Sequence, residues 1–422
     1  MNDFKRIGDF AKVRRGASPR PIDDPKWFGG EIGWVRIVDV TRSRRFLRST
    51  EQYLSPLGVS RSVRVHKGDL IMSICATIGR PVIVDMPACI HDGFVQFYDI
   101  NDADTEYLYY ALQHAEPEFL AYGQHGTQAN LNTTIVGRHE LFVPPPPEQR
   151  KIARILTTMD NLIENTEALI AKYQAIKQGM MHDLFTLGID EHGHLRPPRS
   201  EAPLLYKQSE LGWIPKEWDE TPLGLCTSST ITYGIVQAGP HVDGGVPYVR
   251  TGDMGGNRLV RSEMLCTSHA IARSFKRSEL RSGDIVCAIR ATVGKVLQAP
   301  PELDGANLTQ GTARIAPKEA INTHYLLWAL RSSDVQKKIQ LAIKGTTFAE
   351  ITLAELRRIK VPIPRTRKQQ DDVAARLICC DEMIEKEERS CEKMRQMKTG
   401  LMQDLLTGKV RVTVDDSEDL VP

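Results

Sequence analysis

Gln149-Arg150-Lys151-Ile152-Ala153-Arg154-Ile155-Leu156-Thr157-Thr158-Met159-Asp160-Asn161-Leu162-Ile163 opens the stretch on which this chain is organised. Ile152, Ile155, Met159, Leu162, Thr166, Leu169, Tyr173 and Ile176 alternate steps of three and four, and Leu156, Ile163 and Ile170 widen the stripe. Neither Gly nor Pro interrupts it before Gly179. Such a heptad predicts a continuous helix from Gln149 to about Phe185, roughly 55 Å long at 1.5 Å per residue. The same design returns as Val373, Leu377, Cys380, Ile384, Glu387, Cys391, Met394 and Leu401. Both copies follow prolines (residues 144–147; Pro362 and Pro364), read as a rigid exit from a strand that delays the helix. Gly179-Met180-Met181-His182-Asp183-Leu184 is answered by Gly400-Leu401-Met402-Gln403-Asp404-Leu405. A helix of this length needs a partner for its stripe, and the second copy is the nearest candidate. The expectation is an antiparallel coiled pair, a ruler inside the molecule.

The rest of the chain repeats too. Lys67-Gly68-Asp69-Leu70-Ile71-Met72-Ser73-Ile74-Cys75-Ala76-Thr77-Ile78-Gly79-Arg80 matches Ser282-Gly283-Asp284-Ile285-Val286-Cys287-Ala288-Ile289-Arg290-Ala291-Thr292-Val293-Gly294-Lys295 without a gap. Trp34-Val35-Arg36 with Asp39 pairs with Tyr248-Val249-Arg250 with Asp253, and Gly126-Thr127 with Gly345-Thr346. Residues 4–13, 33–40 and 135–143 read as strands and residues 105–114 as a short helix. This is a tandem duplication of globular domain plus long helix. The fold class is mixed α/β (α+β). The expected boundaries are 1–148 and 216–367 for the domains, 149–188 and 368–408 for the helices, 189–215 for a linker and 409–422 for an acidic, disordered tail.

A chain of 422 residues, 41% hydrophobic and 26% charged, is that of a soluble protein of two to four domains. No apolar run approaches a membrane span, and the N-terminus lacks a signal-peptide core. The eight cysteines show no zinc spacing and read as free thiols. Net charge is only +2, yet residues 1–80 hold 16 Lys/Arg against 8 Asp/Glu, while residues 81–150 hold 2 against 10. A solvated surface is the plain reading of such runs; a polarised domain with one basic side is what phosphate contact would need.

No Gly-rich phosphate loop, dinucleotide fingerprint or amino-methyltransferase motif is present, so no enzyme is expected in this chain. Gly294-Lys295 and Gly408-Lys409 lack the remainder of a phosphate loop. His192 and His194 stand in the linker, where exposure is a plainer role than metal binding, and no metal site is expected.

These strings together resemble the DNA-specificity subunit of type I restriction–modification enzymes. The resemblance rests on the two Gly-Asp-Leu-Ile and Gly-Asp-Ile-Val strands and on Ser209-Glu210-Leu211-Gly212-Trp213-Ile214-Pro215-Lys216-Glu217-Trp218. Gly345-Thr346-Thr347-Phe348 and Val361-Pro362-Ile363-Pro364 add to it, and it covers residues 4–408. It implies that each globular domain is a target-recognition domain for one half of a split site in double-stranded DNA. The helix pair would then set the spacer, about 5–8 base pairs from the pitch of the duplex. The partners implied are two copies of a modification (methyltransferase) subunit and a restriction/translocase subunit, in a bacterial or archaeal cytoplasm. S-adenosylmethionine, ATP and Mg would belong to those partners, with no cofactor bound by this chain. A structural adaptor docking proteins through its helix pair is the alternative.

Given that resemblance, basic and amide-bearing loop residues are the candidates for DNA contact, because Arg suits guanine and Asn or Gln suits adenine. In the first domain these are Arg14, Arg15, Arg42, Arg44, Arg45, Gln124, Gln128 and Asn130. In the second they are Tyr233, Gln237, Arg258, Arg261, Arg290, Lys344 and Thr346. Arg36 and Arg250 read as structural or phosphate-binding. Ile152, Leu156, Met159, Ile163, Ile170, Val373, Leu377, Ile384 and Met394 are expected in the coiled pair. Leu156, Ile163 and Ile170 suit contact with modification subunits or burial against the other helix.

Overall fold

The computed structural model describes residues 3–124, 131–345 and 349–414, in two compact units: residues 1–168 with 388–422, and residues 169–387. Two long helices, Pro146–Thr186 and Arg367–Leu405, therefore each give one half to each unit. The central helix begins inside the proline run rather than after it. A proline in the first turn forfeits only an N–H that has no helical partner anyway, so the prolines start the helix instead of delaying it.

In the first unit a five-stranded sheet runs Lys12–Arg15, Phe94–Tyr98, Leu70–Ser73, Pro81–Val84, Phe46–Leu47. Leu70–Ser73 is buried throughout. Side chains alternate across a strand, so Leu70, Met72 and Ile74 join Tyr107, Leu108 and Leu112 on the helical side. Ile71 turns the other way, to Val35, Val65 and Ile90 of a second sheet, ordered Gln52–Leu54, Phe28–Val35, Ala88–Ile90, Val63–Val65.

The second unit repeats this. Ile285 and Cys287 face one core, Val286 and Ala288 the other. The turn after the buried strand is the same in both: Ala76 and Ala291 have φ of 58° and 59°, Gly79 and Gly294 of 86° and 88°. Positive φ is uncommon for alanine, so the duplicated turn is a matched backbone device and not merely a matched string.

Three expected strands contain helices. Residues 4–13 form Phe4–Arg6, a helical turn Ile7–Phe10, and the start of the strand Lys12–Arg15. Ile37–Arg42 is helical because Asp39 accepts from the Arg36 N–H at 2.8 Å and the Glu51 N–H at 3.0 Å. Thr133–Arg138 is helical under an Asn132 cap, ahead of Glu140–Phe142. The helix Thr105–His114 stands where it is expected. Residues 189–215 are folded, not a loose linker: Ile189 is in a core with Trp218, Tyr325 and Val373, and Tyr206–Ser209 pairs with Gly212–Pro215.

Within each unit the helix halves run antiparallel. In the first, Lys398 Nζ lies 2.7 Å from Asp160, Arg395 2.6 Å from Glu167, and Thr166 Oγ1 3.9 Å from Met394 Sδ. In the second, Lys177 pairs with Asp381 and Met180 meets Cys380. Leu156, Ile163, Val373, Leu377 and Ile384 are buried, with Met159, Ile170 and Met394 half-buried. Ile152 and Leu156 also complete the first domain's core with Leu405. The seam on the central helix is one residue off the expected stripe, since Leu162 and Ile176 are 43% and 45% exposed. The acidic tail lies outside the described residues from 415 onward.

Candidate nucleic-acid interface

The second unit has a cleft of about 390 Å³ among the loop after Tyr233, the turn at Arg250, and Arg290 and Gln310. Glycines bring these elements together. A Cβ on Gly234 would lie 1.9 Å from the Leu308 carbonyl oxygen, so no other residue fits. That close approach lets the Ile235 N–H donate to Leu308 at 2.6 Å, and the Gln310 N–H donate back to Ile235 at 3.0 Å. Gly311 is equally confined, with a Cβ falling 2.6 Å from Thr251 Oγ1.

Two cations line the cleft. Arg250 sits just before the short helix Thr251–Met254 and donates to Asp253 through Nε (3.1 Å) and Nη2 (2.6 Å), which raises its pKa. Arg290 donates to Glu350 at 3.1 Å and remains 43% exposed. The Gln310 side-chain amide makes no hydrogen bond among the described residues and opens to the same cleft. A free amide offers one donor face and one acceptor, and a guanidinium offers paired donors. Together they can take an anion or the edge of a base.

The first unit holds the counterpart. A Cβ on Gly16 would fall 2.1 Å from the His91 carbonyl oxygen and 2.7 Å from that of Ile90, the residue that matches Leu308. His91, Asp92 and Gly93 occupy the places of Thr309, Gln310 and Gly311, because Ile90 pairs with Val35 as Leu308 pairs with Val249. Asp92 accepts from Ser18 Oγ at 2.6 Å and from Arg20 at 2.9 Å, and its carbonyl from Arg15 Nε at 2.6 Å. Burial opposes ionisation, but Ser18 and Arg20 outweigh it and hold the carboxyl below its ordinary range. Burial, reinforced by the Arg36 charge, pushes His91 down to about 4, so its Nδ1 accepts from the Gly93 N–H at 2.8 Å. Arg36 lies over the Trp34 ring, 4.8 Å from its centre. Arg14 donates to Gln96 at 2.7 Å and reaches the Arg64 carbonyl at 3.2 Å.

The expected contact residues therefore separate. Arg15 reaches the Asp92 carbonyl, the neighbouring Arg14 turns instead to Gln96 and the Arg64 carbonyl, and Arg290 lines the cleft of the second unit. Tyr233 precedes the cleft loop and Gln237 stands within it, and Lys344 is tied to the Glu350 that holds Arg290. Arg42, Arg44 and Arg45 stand apart. Arg42 is paired with Glu51, and Arg44 with Glu164 and Glu167 of the central helix. Arg45 is only 14% exposed, bonded to Tyr110 and Thr157. Arg44 and Arg45 fasten their loop to the helix. Arg261 is bonded to the Glu302 carbonyl, and neither it nor Arg258 lines the cleft. Gln124 ends the helix Glu116–Gln124. Gln128, Asn130 and Thr346 lie outside the described residues. Sequence reasoning missed Arg20, His91, Asp92 and Gln310, and set Arg36 and Arg250 aside. The signal was available in the paired glycines Gly16/Gly234 and Gly93/Gly311, which share an offset of 218 (234 − 16 and 311 − 93).

The family described as type I restriction modification DNA specificity domain matches residues 2–174 and 235–389. The chain is 31% identical over 321 residues to a protein of Methanocaldococcus jannaschii described as the MjaX specificity subunit of a type I restriction enzyme. That match spans 74% of this chain and 69% of the relative. Over 422 residues it is 26% identical to the MjaVIII specificity subunit of the same organism, covering 96% and 92% of the two chains. Its fold is like the crystal structure of the type I restriction–modification S subunit from M. genitalium, with a TM-score of 0.58, 15% identity, and 97% and 96% of the two chains covered.

Proposed function

The chain belongs to the type I restriction–modification DNA specificity family, and from that premise we propose that each unit reads one half of a split DNA target through its cleft. The observation that carries this is one backbone device used twice with different chemistry. Arg290, Thr309 and Gln310 in the second cleft face Cys75, His91 and Asp92 at the matching places in the first. A scaffold held constant under changed polar side chains is what two readers of different half-sites require.

The paired helices set the gap between half-sites, about 5–8 base pairs from the duplex pitch. Adenine methylation with S-adenosylmethionine belongs to two copies of a modification subunit, and ATP- and Mg-dependent cleavage to a restriction subunit. This chain binds none of those cofactors and works with them in the cytoplasm. With Leu156 and Ile163 buried, the docking surface for modification subunits falls instead to exposed apolar residues. Leu162 and Met397 serve in the first unit, Ile176 and Met383 in the second, one from each helix. Two like surfaces suit two copies of one partner.

Co-expression with the neighbouring methyltransferase gene, then methylome sequencing of the host, tests the reading. A split motif with N6-methyladenine in both halves is expected. A stable complex with an intact methyltransferase that leaves no new motif overturns it.

A further inference from the structure

Beside each cleft lies a short segment whose charges nothing in the fold uses. In the second unit it is the helix His269–Ser274 and the turn Lys276–Ser278. Arg273, Lys276 and Arg277 are exposed and make no ion pair or side-chain hydrogen bond among the described residues. Elsewhere in that unit Lys360 pairs with Glu210, Arg367 with Asp371 and Arg281 with Glu279, while Lys216, Arg258 and Lys318 are exposed without an ion pair among the described residues but stand singly. What sets this segment apart is that Arg273, Lys276 and Arg277 fall together on it. An unpaired cluster of like charges repels itself, so it persists here at some expense to the fold.

The segment is attached to the cleft. Ile271 approaches Gly239 at the far end of the cleft loop, and Thr267 donates to the Ala238 carbonyl at 2.6 Å. The turn Lys276–Ser278 packs on the strand Thr232–Tyr233 that leads into Gly234. In the first unit the matching segment, Pro56–Val59 and residues 60–64, is bound to its cleft loop through Ser62, which donates to the Ala17 carbonyl at 2.8 Å. Arg61 there occupies the place of Lys276, at the same offset of 215 that relates Gly68 to Gly283 (276 − 61 and 283 − 68). Arg61 too is exposed and unpaired among the described residues.

We infer that these flanking segments are phosphate clamps: Arg61 in the first unit, and Arg273, Lys276 and Arg277 in the second, grip the DNA backbone beside the bases that the clefts read. This rests on the DNA-reading assignment above. Free cations on a rigid segment, fixed to the loop that meets the bases, supply the sequence-independent share of affinity and set the register of the duplex.

The test uses the full chain in complex with its modification subunits and a short duplex of random sequence, titrated across a salt series. Neutralising Arg273, Lys276 and Arg277 together to Gln lowers the slope of log affinity against log salt by about 0.9 for each phosphate no longer neutralised, roughly two to three in all. Arg61→Gln lowers it by about one. Retaining charge, as Arg273→Lys with Arg277→Lys, leaves the slope near that of the parent, which a merely structural role would not predict. The methylated motif in cells stays the same in every variant. An unchanged slope in the triple variant overturns the clamp, and so does a change of motif, which would make these residues base readers. Failure of the parent complex to methylate any motif condemns the cleft assignment instead, and is seen independently.

Discussion

Among single residues, Gln310 and Arg290 make the sharpest forecast, because they line one cleft yet differ in type, an amide beside a guanidinium. Gln310→Ala removes the free amide and should relax one position of the half-site read by the second unit. Arg290→Ala should relax a different one, each by about 1–3 kcal/mol of discrimination. The other half-site stays intact, and methylome sequencing of each variant reads this directly. His91 makes a forecast about pH. Its folded pKa of about 4 lies below the ordinary 6.5. Between those values the unfolded chain takes up a proton that the fold excludes, so stability is full above 6.5 and falls as pH drops toward 4. His114 and His139 of the same unit are pushed down by burial as well and act in the same direction. Denaturant melts at pH 5 and 7.5 should show the first unit weakening in acid. His91→Gln should flatten that dependence by roughly 3 kcal/mol at most, whereas an unaltered pH profile would mean that His91 is free to protonate.

At the level of elements, the long helices carry both the architecture and most of what could be read in advance. Their heptads hold because thirty-odd residues without Gly or Pro leave the chain no cheaper conformation. On the C-terminal helix the expected stripe is the buried one, from Val373 through Ile384 to Cys391. On the central helix two overlapping stripes compete, one through Ile155 and Leu162, the other through Leu156 and Ile163. Only the partner helix and the domain core decide between them, and they choose the second. The missed helices Ile37–Arg42 and Thr133–Arg138 are rich in β-branched residues that favour strands. Local i,i+3 bonds override that preference, from the Arg36 N–H to Asp39 and from the Ile135 N–H to the N-cap Asn132, and for Asp39 the more distant Glu51 N–H adds to them. The clefts were half legible: Arg15 and Arg290 carry their type openly, while Asp92 and Gln310 become candidates only when the glycine carbonyl approaches are known. The Asp160–Lys398 pair gives the helix pairing its test. Both side chains are under 20% exposed, and Asp160 also accepts from Tyr110 at 2.7 Å. Asp160→Ala strands a buried ammonium and should cost the first unit about 3 kcal/mol or more. For docking, Leu162→Asp with Met397→Asp should leave a complex with one modification subunit where the parent holds two, as weighed by native mass spectrometry. Loss of both copies or of neither would refute separate docking sites.

Across the whole chain, each unit is closed by the segment that follows one of the long helices. In the second unit the segment after the central helix turns at Gly188 and brings Arg196 to Glu217, where the second domain begins, with Gln369 of the C-terminal helix bonded to the same carboxylate at 3.2 Å. The first unit performs the same step with the end of the chain. Gly408, with φ of 71°, turns the segment back so that Arg411 reaches Asp3 at 2.7 Å and Glu148 at 2.7 Å, while the Val412 N–H donates to Glu148 at 3.1 Å. Glu148 is only 5% exposed, and Arg411 is its charged partner. The first domain is thus completed by Arg411, 408 positions downstream of Asp3. A chain shortened after Gly408 leaves Glu148 buried without its arginine and Asp3 without an anchor. Hydrogen exchange should then rise across residues 3–15 and 140–156 of the first unit while the second, whose own Arg196 clasp is intact, keeps its protection. Equal loosening of both units, or of neither, would mean that the terminal segment merely rests on the surface, and that the two halves of the repeat are closed by their helices alone.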